Sequence, residues 1–161
     1  MNDNAVKGMT PDALKAVENY AERHATTMKH NVIDTGHLLL GLMSTDSKIA
    51  FQSPVARRLQ ADLKVTLYQV HQAVESIDHT TTRFSGRRRQ TSAVKDVLKQ
   101  AAQLAKEDPS SPKGTITRFH IAQALGQSDD PMFHQVLGEL GLSRGQFAKA
   151  MGGKYSSSVV G

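Results

Sequence analysis

The chain repeats itself, and that narrows its folds more than any other feature. Val17, Ala21 and Ala25 recur as Val97, Ala101 and Ala105, eighty residues later. Ile33, His37, Leu38 and Leu42 recur as Ile116, His120, Ile121 and Leu125 at an offset of 83, and Leu63, Val65, Thr66 and Val70 as Leu140, Leu142, Ser143 and Phe147 at 77. The offset changes only between helical segments, where an insertion costs little. Two copies of one unit, each with an apolar stripe, are expected to bury those stripes against each other.

Each copy reads as four helices. From Thr10, a cap followed by Pro11, the residues Leu14, Val17, Ala21, Ala25 and Met28 recur at helical spacing, predicting a helix that ends near Lys29. Thr35 is read as the cap of a short helix over His37 to Met43, and Ser53-Pro54 opens a third carrying Val55, Ala56 and Leu59. Thr66 and Gln69 have capping-box spacing ahead of a fourth, with Leu67, Val70, Val74 and Ile77 on one face. The second copy starts again at Thr91, Thr117, Asp130-Pro131 and Ser143, the last another capping box with Gln146. Strand signals are scarce, so the expectation is an all-α fold of two four-helix repeats packed with pseudo-two-fold symmetry. The expected organisation is a disordered tail over 1–9, a double-repeat domain over 10–152 (repeats 10–77 and 91–152, linker 78–90), and a flexible Ser-rich tail over 153–161.

The absence of Cys excludes disulfides, thiolate nucleophiles and Cys-based metal sites. No apolar run is long enough to span a bilayer and Met1 to Met9 lacks a signal-peptide core, so the expected compartment is the cytoplasm. Of the net charge of +5, Arg83, Arg87, Arg88 and Arg89 supply four within a segment free of acids. The basic pI therefore describes one short stretch and not a basic surface.

Residues 30 to 42, His-Asn-Val-Ile-Asp-Thr-Gly-His-Leu-Leu-Leu-Gly-Leu, closely resemble the signature of the Clp chaperone amino-terminal domain of the ClpA, ClpB and ClpC unfoldases, His-Asn-Tyr-Ile-Gly-Thr-Glu-His-Leu-Leu-Leu-Gly-Leu. The second copy, Ile116 to Leu125, keeps the His and the apolar spacing. That family domain is itself a duplicated four-helix unit, so the resemblance spans about 10–152. It implies a non-catalytic module that recruits substrates or adaptors to a hexameric ATPase. The sequence contains no GxxxxGK[ST] phosphate loop, since Gly152-Gly153-Lys154-Tyr155 lacks its spacing and its hydroxyl. The implied function is an adaptor or accessory factor binding a Clp ATPase, a Clp protease core or their protein substrates, without cofactor. The alternatives are the substrate-binding fragment of a full-length unfoldase and a nucleic-acid-associated regulator acting through Arg83 to Arg89. One departure argues against phosphoarginine recognition: where the ClpC type has the Glu that binds the guanidinium, this chain has Gly36 and Phe119.

The expected protein-binding residues are Thr35, Gly36 and Leu39, Arg118 and Phe119, at the starts of the second and sixth helices, with Arg87, Arg88 and Arg89 adding attraction to acidic partners. The arginine run without interleaved aromatics argues against nucleic acid as the main partner. His24, His30 and His37 are spaced too irregularly to place metal ligands on one helix face. His37 and His120 share one repeat position, and both are expected to hydrogen-bond backbone in structural roles. Leu38, Leu39 and Leu40 cannot all face one core from a single side; ordinary burial between the packed repeats is the expectation, and a surface groove lined by one of them, with Met132 or Phe133 contributing, is the alternative.

Overall fold

The structure, a computed structural model, describes residues 8–45, 53–77 and 89–152. Among them eight helices form in the expected order. Three consecutive segments, Pro11–Lys15, Ala16–Tyr20 and Ala21–Thr27, run on as one helix, α1. Then follow α2 (Thr35–Met43), α3 (Pro54–Leu63) and α4 (Leu67–Ser76) in the first repeat. The second repeat comprises α5 (Ser92–Glu107), α6 (Arg118–Gly126), α7 (Pro131–Glu139) and α8 (Arg144–Ala150). The side chains of Thr10, Ser53, Thr66, Thr91, Thr117 and Ser143 each accept from a backbone N–H in the first turn of their helix. Those bonds satisfy donors that a helix start leaves orphaned.

Two boundaries differ from the sequence expectation. Helix α1 stops at Thr27, because Lys29 takes a left-handed conformation (φ 61°) that cannot continue it. Helix α2 is capped by Asp34 and not by Thr35: the Asp34 carboxylate accepts from the N–H groups of Gly36 (2.9 Å) and His37 (3.3 Å). An acid makes as good a cap as Thr, and with Asp34 at that position Thr35 becomes the first helical residue.

Helix α2 is surrounded. It packs against α1, α3, α4, α5, α6 and α7, and all nine of its residues are buried. Leu38, Leu39 and Leu40 are each fully buried, so none lines a groove. A helix that is apolar all round belongs at the centre of a core, and that resolves the three-leucine run. Phe133 is likewise fully buried, edge-on to Phe147 with ring centroids 5.2 Å apart, while Met132 is half-buried.

The middle of α1, Ala16–Tyr20, is wound as a π-helix. The repeat alignment explains why. Thr10 and Thr91 cap equivalent helices at an offset of 81, yet Val17 and Val97 correspond at 80, so α1 holds one residue more than α5. The π-turn absorbs it, the usual way an insertion is taken up without breaking a helix. Gly41 of α2 lies against this turn, where an added Cβ would overlap the Ala16 carbonyl oxygen and stand 2.9 Å from the Ala21 nitrogen. Its repeat counterpart is Ala124, which faces the regular helix α5 and keeps its methyl.

The halves are joined by reciprocal backbone pairings. Strand β1 (Val32–Ile33), leading into α2, pairs in parallel with β2 (Arg89–Gln90), leading into α5. Met9, leading into α1, bridges in parallel to Ile116, leading into α6. The bonds match as well: Thr91 N–H donates to Ile33 O and Thr10 N–H to Ile116 O, both at 3.0 Å. Two segments read as tail and linker thus take part in the fold. Met9 is buried in the core, and residues 89–90 are a strand. The rest of the expected linker, and the expected tails at 1–7 and 153–161, lie outside the described residues.

Gly41→Ala is expected to lower stability by about 1–3 kcal/mol, because the methyl meets backbone and not a yielding side chain. Ala124→Gly should cost only about 1 kcal/mol. Urea midpoints of the two variants test this, and equal losses would remove the π-turn explanation.

Candidate functional site

The two repeat-related histidines open their helices in the same way and end on different partners. In α2 the backbone N–H of Asp34 donates to His37 Nδ1 (3.0 Å), which puts the proton of the neutral ring on Nε2. That Nε2 faces His30 Nδ1 at 2.7 Å, and both rings are buried. In α6 the N–H of Thr117 donates to His120 Nδ1 (3.0 Å), and His120 Nε2 donates to Asp108 Oδ2 at 2.8 Å. Both imidazoles therefore act as the reciprocal member of a capping box, a task usually given to Glu or Gln. The ring nitrogens that chemistry would need are engaged in holding helix starts.

A second imidazole pair lies beside the first. His24 of α1 donates from Nε2 to Ser44 Oγ (2.8 Å), which in turn donates to Leu40 O (2.7 Å), and His71 of α4 meets His24 edge-on with centroids 6.0 Å apart. Burial, followed by the positive charges that His71, His37 and Arg23 would carry, lowers the His24 pKa from 6.5 to about 4. In repeat 2 the acid Asp108 has its pKa lowered to about 2, first by the Ser110 hydroxyl and next by His120. Repeat 1 packs imidazole on imidazole, whereas repeat 2 packs imidazole on carboxylate. Among the described residues no group of three or more His, Cys, Asp or Glu is placed to hold a metal ion.

Arg118 is only 3% exposed, a placement that residue type alone does not announce because arginine is seldom buried. Its guanidinium crosses into repeat 1, donating to Leu42 O (2.8 Å), Ser44 O (2.6 Å) and the Asp12 carboxylate (2.8 Å), with the Tyr20 ring 5.7 Å away. It thereby supplies donors to carbonyls left orphaned at the end of α2, and the negative helix terminus favours its charge. Pairing with a carboxylate and two carbonyls is what makes such a buried charge tolerable.

The other expected binding residues are placed as follows. Thr35, Gly36 and Leu39 are buried in the first turns of α2, so their side chains shape the interior. Thr35 Oγ1 donates to Asp130 Oδ2 (2.5 Å), and Gly36 lies against Val74, whose Cγ2 an added Cβ would meet at 2.9 Å. Phe119 is half-buried beneath Arg58, whose guanidinium carbon lies 5.5 Å from the ring centroid. Arg89 is exposed on β2, while Arg87 and Arg88 lie outside the described residues.

A family model for the Clp repeat (R) N-terminal domain matches residues 8–112. The chain belongs to that family. The crystal structure of the N-terminal domain of the caseinolytic protease associated chaperone ClpD from Arabidopsis thaliana is similar to this fold with a TM-score of 0.68 and 23% identity, covering 91% of this chain and 96% of that one. No curated protein sequence matches significantly. In Clp ATPases, Clp repeat N-terminal domains are modules that bind substrates and adaptors. Among the described residues no helix is long and apolar enough to cross a membrane.

The histidine arrangement predicts an acid response confined to repeat 1. The unfolded chain protonates His24 near pH 6.5 and the folded chain resists until about 4, so its contribution is complete above 6.5 and is lost as pH falls toward 4. Allowing for partial exposure, the loss should be about 1–2 kcal/mol. The Asp108 contribution is present above 3.8 and is lost only as pH falls toward 2. Comparing urea midpoints at pH 7 and 4.5, the wild type should lose more stability than His24→Gln; equal losses would refute the assignment.

Proposed function

We propose that this chain is a non-enzymatic protein-binding module that serves a Clp ATPase–protease system in the cytoplasm as an adaptor or accessory factor. The observation that carries this reading is the use made of the polar groups in the core. His37, His120, Asp34 and Arg118, the residues best suited to chemistry, all hold helix ends. What remains for an external partner is the cation–ring pair of exposed Arg58 and half-buried Phe119 and, on β2, the exposed Arg89, which Arg87 and Arg88 precede in sequence. The buried residues Thr35, Gly36, Leu39 and Arg118 shape this body from within.

The positions that would contact phosphoarginine in a ClpC-type domain are occupied here by Gly36, packed on Val74, and Phe119, covered by Arg58. Neither side chain offers an acceptor to a guanidinium, which supports partner recognition without that mark. An acidic partner surface is favoured over nucleic acid, because Arg87, Arg88 and Arg89 follow one another without an interleaved aromatic.

Purified chain should bind an immobilised Clp ATPase hexamer or protease core, more weakly at high salt, and the triple change of Arg87, Arg88 and Arg89 to Ala should slow association. Single-stranded and duplex oligonucleotides serve as competitors in the same measurement. Binding to oligonucleotide but to neither Clp component would replace the reading with the nucleic-acid one, and binding to nothing would refute both.

A further inference from the structure

The halves differ at one repeat position, and the difference leaves a space. Arg118 opens α6 and fills a crevice in repeat 1 bounded by Asp12, Tyr20 and the Leu42 and Ser44 carbonyls. Its counterpart, Thr35, opens α2 and points the opposite way, into repeat 2, but is too short to fill the equivalent crevice. Its hydroxyl stops at Asp130. Beside Asp130 lies an open cleft of about 680 Å³ between the start of α5, the end of α6 and the turn before α7.

The walls of the cleft correspond in part to the seat of Arg118, with Ala93 in place of its carboxylate. Ala93, Gln100, Gln127 and Ser128 line it, standing where repeat 1 has Asp12, Tyr20, Ser44 and Thr45. The lining also includes Asp96, Asp129 and Asp130, with Arg144 as its one basic member. Arg144 is engaged by Asp129 (3.3 Å) and by the carbonyl of Gln127 (3.2 Å), the carbonyl that matches Ser44 O. A guanidinium thus already sits on one of the two equivalent carbonyl positions, and the carboxylates of Asp96 and Asp130 leave the lining with net negative charge.

We propose that this cleft is a docking seat for an arginine side chain carried by a partner polypeptide, its guanidinium entering where Arg118 lies in the other half. The interior of the protein supplies the template: one copy of the crevice holds an arginine of its own, and the other carries Thr35 at that position, too short to plug it. Arginine suits the place better than lysine because a planar fork can reach a carboxylate and carbonyls together, as Arg118 does. The cleft is larger than one side chain, leaving room for flanking main chain, and its volume falls in the usual range of ligand sites. This proposal rests on the protein-binding reading but not on a Clp partner, so its test needs no Clp component.

The experiment titrates the isotope-labelled full chain with the capped peptide acetyl-Gly-Gly-Arg-Gly-Gly-amide, and with the same peptide carrying lysine or citrulline, following backbone amide shifts. The arginine peptide should move Ala93, Asp96, Gln127 and Asp129, lysine should act more weakly, and neutral citrulline should have no effect. Thr35→Arg supplies the missing plug and should abolish the shifts while its melting temperature stays at or above that of the wild type. Asp96→Asn leaves the cleft open and should weaken binding by roughly two- to fivefold, the worth of one partly exposed charge pair. Shifts that avoid the cleft, that are equal for citrulline, or that persist in a folded Thr35→Arg protein would overturn the proposal. If Thr35→Arg does not fold, the citrulline comparison and Asp96→Asn decide it.

Discussion

Helix α2 has no face toward water, and the rest of the architecture follows from that. A fully buried helix cannot leave its terminal N–H and C=O groups to solvent, so neighbours must satisfy them. At its start the work is done locally, by the Asp34 carboxylate and the His37 ring. At its end it is done from a distance, by Arg118 of the other repeat. The packing of the two halves and the completion of α2 are therefore one event. This is also why polar residues in the signature stretch are buried: they stand in for the water that a surface helix would use.

The duplication left its mark in differences as much as in likenesses. The extra residue in α1 is accommodated as a π-turn, which brings backbone so close to α2 that only glycine fits at position 41, while the regular α5 leaves room for Ala124. His37 leans on another imidazole where His120 leans on an acid. Arg118 fills its crevice where Thr35 leaves the matching one open. One fold is kept through two sets of side-chain solutions.

Much of this was legible in the sequence. Caps, capping boxes and apolar periodicity placed eight helices in order, and the repeat offsets placed their counterparts, because such signals are local. What could not be read was long-range. Asp34 as the cap was within local reach, since Asp caps at least as well as Thr, but nothing near Arg118 says that its charge will be spent on carbonyls 74 and 76 residues away. The three leucines of α2 read as an excess for one apolar stripe because the six surrounding helices are invisible to a local window. The offset was expected to change only between helical segments; that it passes from 81 to 80 within α1 emerges only with the winding of that helix.

The reciprocal pairings of Ile33 with Gln90 and of Met9 with Ile116 bear on how the chain is made. During synthesis the first half emerges with the edges of Met9 and Ile33 unmatched, since the strands that complete them belong to the half still in the ribosome. Loop closure over such separations is slow compared with local helix formation. The first four helices therefore cannot enclose α2 completely until the second half arrives, Gln90 closing one edge before Ile116 closes the other.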